Sequence, residues 1–107
     1  MRSEVKHFLD KYINRIKELD MDINSIVLFG SQARETATIS SDIDIAVITD
    51  KDLPHRDRGQ LLCLNDEIDM RFEVNLFFTT KSNLENACGD FDTNKYIKKE
   101  GIVLWRP

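Results

Sequence analysis

Two aspartates, Asp42 and Asp44, are the residues of this 107-residue chain best suited to chemistry. They lie in Ser41-Asp42-Ile43-Asp44-Ile45-Ala46-Val47-Ile48, whose alternation of polar and apolar residues reads as a strand. Side chains along a strand point to opposite faces in turn, so Asp42 and Asp44 share one face while Ile43, Ile45 and Val47 share the other. Carboxylates held this close repel each other, and a divalent cation between them removes the cost. An oxygen-only ligand set with room for waters and substrate phosphates suits magnesium. Just upstream, the apolar run Ile26-Val27-Leu28-Phe29 stops at Gly30-Ser31. Glycine lets the backbone turn sharply and approach a ligand closely. A serine hydroxyl and the amides that follow it can receive phosphate oxygens.

Rival readings of these residues fail on spacing. A calcium-binding loop counted from Asp42 needs glycine at its sixth position and glutamate at its twelfth. Val47 and Leu53 stand there instead. A P-loop is absent because no Gly-Lys-Ser/Thr follows the first glycine. Glycosyltransferases also use Asp-x-Asp, but 107 residues are few for one. Taken singly, Gly30-Ser31 reads as an ordinary turn and the aspartates as exposed acids; the combination carries the signal.

The elements that must position these groups follow from periodicity. Val5, Phe8, Leu9, Tyr12, Ile13, Ile16 and Leu19 recur at helical spacing, predicting an amphipathic helix from Ser3 to about Asp20 with Ser3 as its cap. A strand over 26–29, a turn with a short helix over 30–38 and a strand over about 42–49 come next. Pro54 suits the start of a helix over 55–68, with Leu61, Leu64 and Ile68 inward. The stretch 70–78 alternates as a half-buried strand: Phe72, Val74, Leu76 and Phe78 on one face, Arg71, Glu73 and Asn75 on the other. Thr80 or Ser82 would begin a short helical turn, Asp92 or Thr93 would cap a helix over about 93–100 ended by Gly101, and 102–105 reads as a closing strand.

Composition sets the class. With 41% apolar and 32% charged residues, the chain reads as one globular domain over 1–107. A net charge of -4 argues against broad nucleic-acid binding, which leaves a basic footprint. Cys63 and Cys88 have no CxxC spacing and read as reduced thiols, and no zinc-like spacing accompanies His7 or His55. No apolar run approaches the ~20 residues of a membrane span, and the N-terminus carries charge where a signal peptide is apolar. The expectation is a cytoplasmic protein.

Gly30-Ser31-Gln32-Ala33-Arg34 followed by Ser41-Asp42-Ile43-Asp44 resembles the signature of the polymerase-beta-like nucleotidyltransferase superfamily. It looks most like the minimal nucleotidyltransferases of prokaryotic toxin–antitoxin pairs. The ending Tyr96-Ile97-Lys98-Lys99-Glu100-Gly101-Ile102-Val103-Leu104-Trp105 is similar to theirs as well. The resemblance implies an α/β fold: a small mixed sheet packed by helices on one face, with an acidic cleft on the other. It implies magnesium-dependent transfer of a nucleoside monophosphate, AMP from ATP, to a hydroxyl. Asp42, Asp44 and Glu73 would be the catalytic, metal-binding carboxylates of a two-metal site, and Gly30, Ser31, Arg34 and Ser41 would bind the nucleotide. The implied acceptor is a tyrosine of a HEPN toxin, which the chain would silence as its antitoxin.

Two departures stand out: Glu35 where that group often has glycine, and Glu73 where it more often has aspartate, with Asn75 the nearest rival position. Alternative readings are a catalytically inactive antitoxin acting by contact, and an aminoglycoside-type nucleotidyltransferase whose acceptor pocket a homo-oligomeric partner completes.

Overall fold

The apolar stripe of the first helix places the largest part of the core. In the computed structural model, which describes residues 2–37, 42–89 and 91–107, helix α1 runs Ser3–Glu18 and buries Val5, Phe8, Leu9, Tyr12, Ile13 and Ile16. Its cap position is Arg2, with no side-chain hydrogen bond, so Ser3 is the first helical residue and not the cap. Tyr12 is fully buried, and its hydroxyl donates to the Leu61 carbonyl at 3.4 Å.

Strands β1 (Ser25–Phe29) and β2 (Ile43–Thr49) pair antiparallel, with Phe29 opposite Asp44 and Val27 opposite Ala46. Helix α2 (His55–Ile68) then crosses over to strand β3 (Val74–Thr80), which runs parallel to β2. Parallel neighbours need such a crossover. Thr80 caps the short helix α3 (Lys81–Glu85) by accepting from the Asn83 amide. Asp92 caps helix α4 (Thr93–Glu100) by accepting from the Asn94 amide. Strand β4 (Ile102–Trp105) closes antiparallel on β1, so the sheet order is β3-β2-β1-β4.

Side-chain alternation divides the sheet into two faces. Ile26, Leu28, Ile43, Ile45 and Val47 meet α1 and α2 in the main core, together with Leu61 and Leu64. Val27, Ala46 and Ile48 face the other way, against Ile97 of α4 and Leu84 of α3. The second face is therefore covered by helices at one end, while Asp44 lies on the same face at the other end of β2.

Two further expectations are corrected. Residues 30–35 form a run of turns with no helix. The third strand starts at Val74, not at 70, because the Asn65 side chain takes over the local backbone. Its amide nitrogen donates to the carbonyls of Asp69 and Phe72 at 3.2 and 2.7 Å, and its oxygen accepts from the Val74 amide at 2.9 Å. Backbone groups so occupied have no need of a sheet partner.

Candidate active site

The open end of the second face collects the residues with chemistry. Asp42 immediately precedes β2 and Asp44 is its second residue, both half-buried, while Ile43 and Ile45 between and beside them are sealed into the core. The apolar partners hold the strand rigidly, so the carboxylates are presented on a fixed mount. At the end of β1, Gly30 turns with φ +75° directly against Asp44. A Cβ at Gly30 would overlap the Asp44 Oδ2 and stand 3.1 Å from its Cγ, so glycine is required both by the backbone and by the carboxylate beside it. The two halves of the motif are thus in contact.

The turn itself is tied by its own backbone. The Arg34 amide donates to the Gly30 carbonyl at 3.1 Å, and the Thr36 amide to the Ser31 carbonyl at 3.0 Å. Ser31 is half-buried and Gln32 buried. Glu35 adopts φ +60°, a left-handed conformation that favours glycine. The position where the resemblance expects glycine therefore keeps a glycine-like backbone under a glutamate. The Arg34 guanidinium is engaged with Glu100 of α4 at 2.9 Å. Ser41 lies outside the described residues.

Strand register sets what stands level with the pair. Asp44 is level with Asn75 on β3. The Asn75 amide nitrogen donates to Asp42 Oδ2 at 3.0 Å and to Asp44 Oδ1 at 3.4 Å. Two carboxylate oxygens bound to one nitrogen stand within roughly 6.4 Å of each other. At about 6 Å, two unit charges repel by roughly 0.7 kcal/mol in water and about 3 kcal/mol at an effective dielectric constant of 20. A donor drawn to both acids marks the place where a cation is attracted, so the pair fits one divalent ion.

Glu73 is exposed and lies just ahead of β3, contributing its carbonyl to the Ile43 amide at 2.9 Å. Among the described residues, no three acidic, histidine or cysteine side chains gather closely enough to share a metal ion. The structure thus brings Asp42, Asp44 and Gly30 together with Asn75, and sets Glu73, one residue before Val74, level with Asp42 across the β2–β3 pair. Alternation alone left Glu73 and Asn75 equivalent; what distinguishes Asn75 is the pair of hydrogen bonds its amide makes to both acids, a tertiary property. The Glu100 partner of Arg34, 66 residues away, carried no sequence signal. A cavity of about 560 Å³ lies at the helix-covered end, between Ser25, Ile48, Lys81, Leu84, Ile97 and Lys98, away from the aspartates.

The chain is similar to known proteins in sequence and in fold. The family described as polymerase beta, nucleotidyltransferase is matched over residues 11–106. A Methanocaldococcus jannaschii protein named as a protein adenylyltransferase is 43% identical over 61 residues, which cover 54% of this chain and 41% of that protein. A chain of a toxin–antitoxin crystal structure with AMP-PNP superposes with a TM-score of 0.64 at 28% identity, over 92% of this chain and 73% of that one. A chain of the tri-AMPylated Shewanella oneidensis HEPN toxin in complex with its MNT antitoxin gives 0.60 at 25% identity, over 95% and 72% of the two chains. No helix among the described residues is long and apolar enough to cross a membrane.

Proposed function

Because the chain belongs to the polymerase beta nucleotidyltransferase family, we propose that it is a magnesium-dependent nucleotidyltransferase that moves AMP from ATP to a hydroxyl, the acceptor being a tyrosine of a HEPN toxin silenced by its antitoxin. The observation that carries this reading is the contact of the Gly30 turn with Asp44, beside Asp42 on the same strand face. The neighbours that contain AMP-PNP or an AMPylated HEPN toxin support the nucleotide and the acceptor. The setting is the cytoplasm.

Asp42 and Asp44 would hold the cation, and Gly30 and Ser31 the outer phosphates. Arg34 would join them on leaving Glu100, and Ser41 stands next to the first aspartate in sequence. Magnesium held by Asp42 and Asp44 would supply charge neutralisation of the triphosphate and polarisation of the α-phosphorus. The acceptor oxygen attacks that phosphorus in line, the bond to the β-phosphate oxygen breaks, pyrophosphate leaves, and the hydroxyl proton passes to a base. Fixed charges that match the developing ones make this electrostatic catalysis above all. Glu73, level with Asp42 across the β2–β3 pair, would take the base and second-metal role.

One observation favours a second reading, neutralisation by contact alone: the third position beside the aspartates is a neutral amide. Two measurements separate the readings. Calorimetry of magnesium–ATP on wild type should show binding that disappears in Asp42→Ala/Asp44→Ala. Intact mass of a co-expressed HEPN partner should rise by one AMP moiety per modified tyrosine. A tight complex with an unmodified partner would sink the transferase reading and leave the contact antitoxin standing.

A further inference from the structure

Asn75 has the place and contacts of a third ligand but not the charge. It is level with Asp44 across the parallel β2–β3 pair and reaches both carboxylates through one amide nitrogen. An amide N–H is a donor and repels a cation; turned over, the same group offers a neutral carbonyl oxygen. A hard cation such as magnesium prefers charged carboxylates and keeps several waters. Two aspartates balance the charge of one divalent ion. A second ion would have the amide, the nucleotide and at most Glu73, which is level with Asp42 but exposed and not gathered with the pair.

We propose that this site takes a single divalent cation, with Asn75 fixing that number by standing where a second ion would need an anionic ligand. The inference rests on the nucleotidyltransferase reading and deepens it.

The test counts ions on the full chain. Manganese is titrated with the α,β-methylene analogue of ATP, which cannot be cleaved at the reacting bond, and bound ion is read by electron paramagnetic resonance. Wild type should load one manganese per chain, Asn75→Asp two, and Asn75→Ala and Glu73→Gln one each, with circular dichroism confirming that all are folded. Two ions in wild type, one in Asn75→Asp, or loss of an ion in Glu73→Gln would overturn the proposal while leaving the transferase reading intact. No manganese in either wild type or Asn75→Asp would remove both.

Discussion

Gly30→Ala separates the turn's effect on folding from its effect on the site. At φ +75° the added Cβ meets the left-handed penalty, about 1–2 kcal/mol for a residue with a side chain. Alanine recovers roughly 0.4–1 kcal/mol by restricting the unfolded chain. The collision with Asp44 comes on top. Its carboxylate oxygens can swing aside, but its Cβ, 3.3 Å from the new atom, moves only with the strand. The net expectation is a loss of about 1–2 kcal/mol, which lowers the melting temperature by about 4–8 °C per kcal/mol in a domain near this size.

Displacing Asp44 should weaken magnesium–nucleotide binding at least about tenfold, or 1.4 kcal/mol. Gly59→Ala is the matched control. Gly59 lies inside α2 with open space around its Cβ position, so alanine there should add roughly 0.5–1 kcal/mol. Melting curves and calorimetry on both single variants and on the double variant complete the set. The double variant should regain about half of the lost stability and none of the binding. If Gly30→Ala melts with wild type and binds nucleotide normally, the reasoning about this turn is wrong.

Glu35→Gly should raise stability by about 0.5–1 kcal/mol, the left-handed cost removed at φ +60° less the entropy glycine adds to the unfolded chain; an unchanged or lower denaturation midpoint would count against it. Asp69 accepts from Arg71 through both carboxylate oxygens, and these hydrogen bonds bring its pKa down from 3.8 to about 2. A depressed carboxylate pKa contributes stability that is fully present above about pH 4 and lost as pH falls towards 2. Acid titration should therefore show Arg71→Gln losing less stability than wild type across that window. Salt should shrink the difference, because the pair is on the surface.

The parts of the fold that were legible in the sequence are those governed by period. The stripe from Val5 to Ile16 and the alternation from Asp42 to Ile48 each read directly as a buried face and an exposed one. The aspartates and the glycine turn were legible for the same reason, being close in sequence and adjacent across one antiparallel pair. Register between strands joined by a long crossover was not, and it is what sets Asn75 level with Asp44 and within reach of both acids. Asn65 was equally silent: a side chain that substitutes for sheet partners delays β3 by several residues without altering its hydrophobic pattern. The conformation of Glu35 was hidden too, since the residue type argues against the backbone it adopts.

The unequal thickness of the two layers sets the order in which the molecule opens. Ile43, Ile45 and Val47 are locked between two long helices, whereas Ile97 is the one buried residue of α4 and β4 is an edge strand with Ile102 and Val103 exposed. Segments with few buried contacts exchange their amide hydrogens first. The C-terminal layer should therefore breathe on a faster clock than the strand that carries the aspartates. Glu100, which engages Arg34, rides on that layer. When that layer opens, the Arg34–Glu100 pair should part, freeing a guanidinium next to the Gly30-Ser31 turn while Asp42 and Asp44 stay held on their strand.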